Sequence, residues 1–349
     1  AQKWIESVLA MMSKIDDKPL IEEINDNHLL ENENKESNQQ NTSPKKDASW
    51  GAKNPYRTNI TENYILNGKG SRKETRHIVF DLGDSGLDYK VGDALGVIAE
   101  NPPHIVDEII QLQGWDPEKS VTTHTGERKL YDALKKDFEV HQAGKKFVRS
   151  LAGKLDSSGD KISVKLVSRV NHEMEWRISD DEELPSGMLR SPPSDDSSGK
   201  LELILSDDKE LENYLWTRDY VDIMREFPIK YTPEEFFELL SRLKPRLYSI
   251  ASSHDVHPGF VELTVGIVRF KYHDRERGGL CTLFMADEIG TSSKEVGVFM
   301  SPTKSFVLPE NKDIDIIMVG PGTGIAPFRA FMEQRIFDGG NGKNWLLII

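Results

Sequence analysis

The chain has 349 residues, 45 Lys and Arg against 58 Asp and Glu, a formal net charge of −13, and a single cysteine. A length of this size fits two or three domains. One cysteine excludes an intrachain disulfide, no basic stripe suits nucleic acid, and no apolar run reaches the roughly 18 residues that span a bilayer. The expectation is a core-forming protein of a reducing compartment, the cytoplasm, with no nucleic-acid or membrane partner.

Trp4, Ile5, Val8, Leu9 and Met12 recur at helical spacing, so residues 1–15 are expected as an amphipathic helix. Residues 16–53 are expected as a flexible linker, because 26–52 are dominated by Asn, Glu, Ser, Gln and Lys and bury too little to offset their ordering entropy. From Asn54 the texture changes. His77–Leu82 alternates, with Ile78, Phe80 and Leu82 on one face, and Gly83–Gly86 is a turn. Asp93–Ile98 is a second strand. Asn101 is the expected N-cap of the next helix, with Pro102 at its first position, Ile105, Val106, Ile109 and Ile110 on its buried face, and Gly114 at its end.

Residues 115–240 are expected to be mostly helical or irregular, with surface loops at 156–160 and 191–199 and a strand-like alternation over 161–170. Thr232-Pro233-Glu234-Glu235 is a capping box ahead of an apolar stripe of Phe236, Phe237, Leu239, Leu240 and Leu243. Strands return at Phe260–Val268, with Val261, Leu263, Val265 and Ile267 facing one way, and at Val296–Met300. An apolar strand over Ile314–Val319 leads through glycines into a helix carrying Ile325, Phe328, Phe331, Met332 and Ile336, and a last strand starts at Trp345. Strand, turn, helix, strand is the opening of a parallel α/β domain. A chain that starts inside a helix and stops inside a strand is expected to be a fragment of a longer one.

Three short constellations can carry chemistry. Arg246-Leu247-Tyr248-Ser249 offers a guanidinium that can clamp phosphate, a ring that can stack on a flat cofactor, and a hydroxyl that can donate to a ring nitrogen. Taken alone it is ordinary strand packing. Gly278-Gly279-Leu280-Cys281-Thr282 opens a helix with paired glycines, which turns amides toward an anion. By itself this is a flexible turn, and Cys281 is a packed side chain. In Gly320-Pro321-Gly322-Thr323-Gly324 alternate glycines follow a buried strand and precede a helix, the context a dinucleotide turn requires, with Pro327 near the helix start. No metal site is expected.

The order and spacing of these three resemble the ferredoxin–NADP reductase superfamily. Arg246–Ser253, Thr264–Val268, Gly320–Phe331, His77–Ser85, Gly92–Val97 and Gly342–Trp345 resemble its diflavin branch, the sulfite reductase flavoproteins most of all, over roughly residues 54–349. The resemblance implies a mixed β and α/β fold: an antiparallel FAD-binding β-barrel over 54–310 with a mainly helical insert at about 100–240, then the start of a Rossmann-like NADPH-binding domain over 311–349. Residues 1–15 would be the last helix of a flavodoxin-like FMN domain. Arg246 would meet the FAD pyrophosphate, Tyr248 would pack against the isoalloxazine, Leu247 would be a further cofactor-binding residue, and Ser249 would stand near flavin N5 as the catalytic residue. Thr264, Val265 and Gly266 would contact FAD by backbone and Phe270 would stack near adenine, where relatives often carry tyrosine. Gly278, Gly279, Leu280, Cys281 and Thr282 would cradle the pyrophosphate, and Gly320, Gly322, Thr323 and Gly324 would line the NADPH path.

The same resemblance implies electron flow from NADPH through FAD, then FMN, to a sulfite reductase haemoprotein subunit, with the FMN domain as partner, and it allows an oligomer. A cytochrome P450 reductase-like enzyme differs only in its acceptor. A docking module that has lost its cofactor is the alternative of another class, and intact Arg246, Tyr248 and Ser249 count against it.

Overall fold

The computed structural model describes residues 50–157, 197–290 and 294–348. The expected helix over 1–15, nearly all of the 16–53 linker, the alternation over 161–170 and most of both loops lie outside these residues. Among the described residues, no helix is long and apolar enough to cross a membrane.

The strands form two antiparallel sheets. β1 (Tyr56–Thr58), β11 (Val296–Ser301), β4 (Ala94–Ile98) and β7 (Arg246–Ser249) make one, in that order. β2 (Ile60–Ile65), β3 (Glu74–Asp81) and β8 (Phe260–Ile267) make the other. Alternation drives both: Ile78, Phe80, Val261, Leu263 and Val265 point inward and are buried, as are Leu95 and Val97 from the facing sheet. Val79 is also buried, so β3 is covered on both sides. The two sheets meet at one bridge, Ile250 to Leu263, and do not close into a barrel.

Between Ile98 and Arg246 the chain builds a second core from helices. α1 (Pro103–Gln113) buries Ile105, Val106, Ile109 and Ile110 and ends at left-handed Gly114, as expected. Its start differs: Pro102 is the N-cap, and Asn101 is fully buried, donating its side-chain amide to the Leu134 and Phe138 carbonyls at 2.8 and 2.5 Å. Asn101 thereby satisfies one orphan carbonyl of α2 (Leu130–Lys136) and one just beyond its end rather than amides of its own helix. A hairpin, β5 (Ser120–Thr123) with β6 (Gly126–Lys129), interrupts the expected helical stretch. α3 (Lys145–Ser157), α4 (Ser197–Leu205), α5 (Asp208–Trp216), α6 (Tyr220–Glu226) and α7 (Pro233–Leu239) follow. The Thr232–Glu235 capping box forms in both directions. Phe236 inserts from α7 among Trp115, Phe147, Tyr220 and Tyr231, with ring centroids 5.4–6.5 Å away. Phe237, Leu239, Leu240 and Leu243 are only half-buried.

The C-terminal part is a β-α-β unit. β12 (Ile316–Gly320) pairs in parallel with β13 (Asn344–Ile348), and a turn of 3-10 helix leads into the long helix α8 (Ala326–Asp338) between them. β12 begins two residues later than expected, because the Asp315 carboxylate accepts from the Lys343 amide at 2.7 Å. The helix also faces differently. Ala330, Phe331 and Arg335 are buried, whereas Ile336 is 77% exposed. Arg335 takes the inward position because it donates to the carbonyls of Ile314 and Gly342 at 2.9 and 2.8 Å. Val91 packs with Met318, Ala330 and Phe331, which seats this unit against the turn before β4.

Candidate functional site

The three constellations meet along the end of β8. Arg246–Ser249, β7, lies at the edge of its sheet, and among the described residues one side of it carries no partner strand. Its side chains alternate: Arg246 and Tyr248 are half-buried, Leu247 and Ser249 exposed. The Arg246 guanidinium donates to the Lys244 carbonyl at 2.9 Å and to Glu139 at 3.0 Å, leaving it partly open to solvent. The Ser249 hydroxyl has no hydrogen-bond partner among the described residues. Tyr248 turns inward to the Cys281 thiol. Burial pushes both groups up, the thiol to about 11, so both are neutral at ordinary pH.

That contact joins the first constellation to the second. β9 (Arg269–Tyr272) and β10 (Arg275–Gly278) form a hairpin that ends in the Gly278–Gly279 turn. A Cβ on Gly278 would collide with the Val268 carbonyl, which already accepts from the Gly279 amide at 3.1 Å, so only glycine lets β10 return this close to the end of β8. A helix (Leu280–Leu283) starts at Gly279 with no side-chain cap. Its first amides are therefore open to an acceptor from outside. Leu280 and Cys281 are buried, so they can reach a ligand only through the backbone, while Thr282 turns its hydroxyl back to the Gly279 carbonyl at 3.0 Å. Phe270 is 42% exposed on the hairpin, its ring 5.4 Å from that of Tyr272.

The third constellation approaches the other side of β8. The methyl group of Thr323 lies 3.3 Å from where a Gly266 Cβ would stand, and Thr264 and Gly266 are half-buried while Val265 belongs to the core. Gly320 ends β12 under the turn, and a side chain there would press within 2.9 Å of Gly324 and Ile325 backbone. Gly322, Thr323 and Gly324 are exposed.

A polar network that sequence reasoning missed ties the first constellation to α8. Ser253 donates its amide to Glu333 at 3.0 Å and its hydroxyl to Gln334 at 2.6 Å. Arg329 pairs with Glu262 and with Glu333, and His257 lies 3.5 Å from each of those carboxylates. His257, Glu262 and Glu333 could present ligand atoms to a metal, but Arg329 already pairs with both carboxylates. The Ser-Ser pair after Ile250-Ala251 and the Arg-x-x-x-Glu spacing on the helix were the available signals.

An uncapped helix start, a partly open arginine, an exposed phenylalanine and a glycine turn near one strand end are groups suited to an anionic ligand with flat rings. This is the chemistry of a dinucleotide-binding domain of mixed β and α content. Residues 48–148 and 183–284 match the family model described as FAD binding domain, and the chain belongs to that family. It is similar to the NADPH sulfite reductase flavoprotein alpha-components of Mannheimia succiniciproducens (35% identical over 299 residues, 86% of this chain and 43% of the relative) and Bacillus subtilis (34% over 303 residues, 86% and 44%). That of Zymomonas mobilis is 36% identical over 297 residues, 85% of this chain and 42% of the relative. The chain thus spans less than half the length of these curated relatives.

Proposed function

We propose that this chain is the FAD-carrying part of a cytoplasmic, NADPH-dependent electron-transfer flavoprotein of the sulfite reductase type. The observation that carries the reading is the meeting of Tyr248 with Cys281 and of Gly266 with Thr323, which gathers three separate glycine- or arginine-bearing segments around one strand end. The residues fit the cofactor. Arg246 and the amides after Gly279 would take the pyrophosphate, Phe270 would lie against adenine, and Ser249 would present its open hydroxyl to flavin N5. Gly320–Gly324 would guide NADPH toward the same place. FAD, when bound, accepts a hydride and releases electrons singly; the chain supplies position and electrostatics. An FMN domain and a sulfite reductase haemoprotein are the proposed onward acceptors, and the names of the relatives support them. A barrel completed around the two sheets and a Rossmann-like domain continuing from β12 and β13 belong to this same reading.

Denaturing the purified protein and identifying the released flavin by chromatography tests it. FAD at near one equivalent, bleached anaerobically by NADPH before extraction, is the expected result. A colourless protein that takes up no added FAD overturns it in favour of a docking module.

A further inference from the structure

Among the described residues, the hairpin that carries Phe270 and leads to Gly278 pairs with no third strand. A two-stranded ribbon of this size does not hold its own position in water. One end is tied at the surface, where Arg269 donates to Glu74 at 2.8 Å and to Asp287 at 2.7 and 2.8 Å. The other end is tied in the interior. Arg275 and Arg277 alternate on β10, and both reach the first turn of α6. Arg275 donates to both Asp219 oxygens at 2.8 and 2.7 Å and to Asp222 at 2.9 Å. Arg277 donates to Asp222 and, at 2.8 Å, to the Thr217 carbonyl. Asp219 and Asp222 are also the reciprocal capping pair of that helix, and their side chains are 2% and 9% exposed.

We propose that Asp219 and Asp222 are positioning residues for FAD: through Arg275 and Arg277 they set the place of the Gly278–Gly279 turn and of Phe270. The inference rests on the FAD reading above. Arg277 is the cross-strand neighbour of Phe270 and directly precedes Gly278, so a shift of its guanidinium moves both ends of the adenine-side cradle. Two guanidinium groups face two carboxylates, so the charges cancel locally. These arginines, although next to the turn, therefore have no charge to spare for phosphate, and that task stays with Arg246 and the backbone amides. The anchor comes from the helical region, about 55 residues earlier in the chain, so the position of that region and FAD affinity are coupled.

The test compares wild type with Arg277→Gln and Asp219→Asn, the latter because asparagine still caps the helix while losing the charge. FAD affinity is read by fluorescence quenching at several salt concentrations, and amide exchange is followed in the cofactor-free protein. Arg277→Gln is expected to raise the FAD Kd at least tenfold and Asp219→Asn several-fold, with the salt dependence of wild type. Amide exchange is expected to speed up at Gly279 and Leu283 and to stay slow along β3 and β8. Kd values within twofold of wild type, unchanged exchange at Gly279 and Leu283, or a flattened salt dependence showing that Arg277 meets phosphate itself each overturn the proposal. Should Arg277→Gln fail to fold, Asp219→Asn decides alone. If wild type takes up no FAD the functional reading itself falls, whereas FAD binding equal in all three removes only the anchor.

Discussion

Arg246 and Glu139 stand 3.0 Å apart across 107 residues of chain, joining the edge strand β7 to the helical region. The carboxylate also receives His141, and these two partners outweigh burial, which alone would raise the group, so that Glu139 titrates below its usual 4.5. A carboxyl depressed in the folded state adds stability above its unfolded value and loses it as pH falls through the folded one. Glu139→Gln is therefore expected to cost about 1–2 kcal/mol at pH 7 and to flatten the fall in stability below about pH 4.5. Urea denaturation across pH 3–7 measures both; parallel curves for the two proteins would refute the assignment.

Ser249 is exposed, its hydroxyl has no hydrogen-bond partner among the described residues, and its backbone is placed by pairing with Ala94. Removing its hydroxyl removes no packing. Ser249→Ala is expected to leave FAD affinity within about twofold while slowing flavin reduction by NADPH about a hundredfold, the low end of the range for a positioned proton donor. Stopped-flow reduction of the full-length protein gives the rate, and an unchanged rate removes the role.

Cys281 is 3% exposed, and burial pushes its thiol up to about 11. Thiolate is the reactive form. The folded protein is expected to resist a thiol reagent at pH 8 for as long as it stays folded, then to react at once in denaturant. Rapid labelling of the native protein would show that the cysteine is reachable.

Phe236 is fully buried among four aromatic rings. Phe236→Ala is expected to cost about 3–5 kcal/mol, readable as a lowered midpoint in chemical denaturation. A loss below about 1 kcal/mol would mean that the cavity closes, contrary to the usual partial relaxation.

What could be read from the sequence followed local rules. The Thr232–Glu235 box, the left-handed Gly114 and the alternation of β8 each depend on residues within a few positions, and each appears where expected. Other features depend on distant partners. Asn101 has the right chemistry for an N-cap, yet carbonyls more than 30 residues away claim its side chain. Ile336 fits the apolar stripe of α8, but the carbonyls of Ile314 and Gly342 draw Arg335 inward instead and leave Ile336 facing solvent. At the candidate site, motif spacing marked out three segments. It did not foretell that Tyr248 would turn to Cys281, or that the arginines before Gly278 would be claimed by aspartates far back in the chain.

The helical region and the paired sheets fill separate apolar centres that share no residue. Much of what couples them is ionic: Arg246 with Glu139, and Arg275 and Arg277 with Asp219 and Asp222. Packed apolar surfaces tolerate little change in volume, whereas a charged joint can be rebuilt by exchanging a few side chains. Natural variation can thus resize or re-aim the helices while the strands beneath keep their packing.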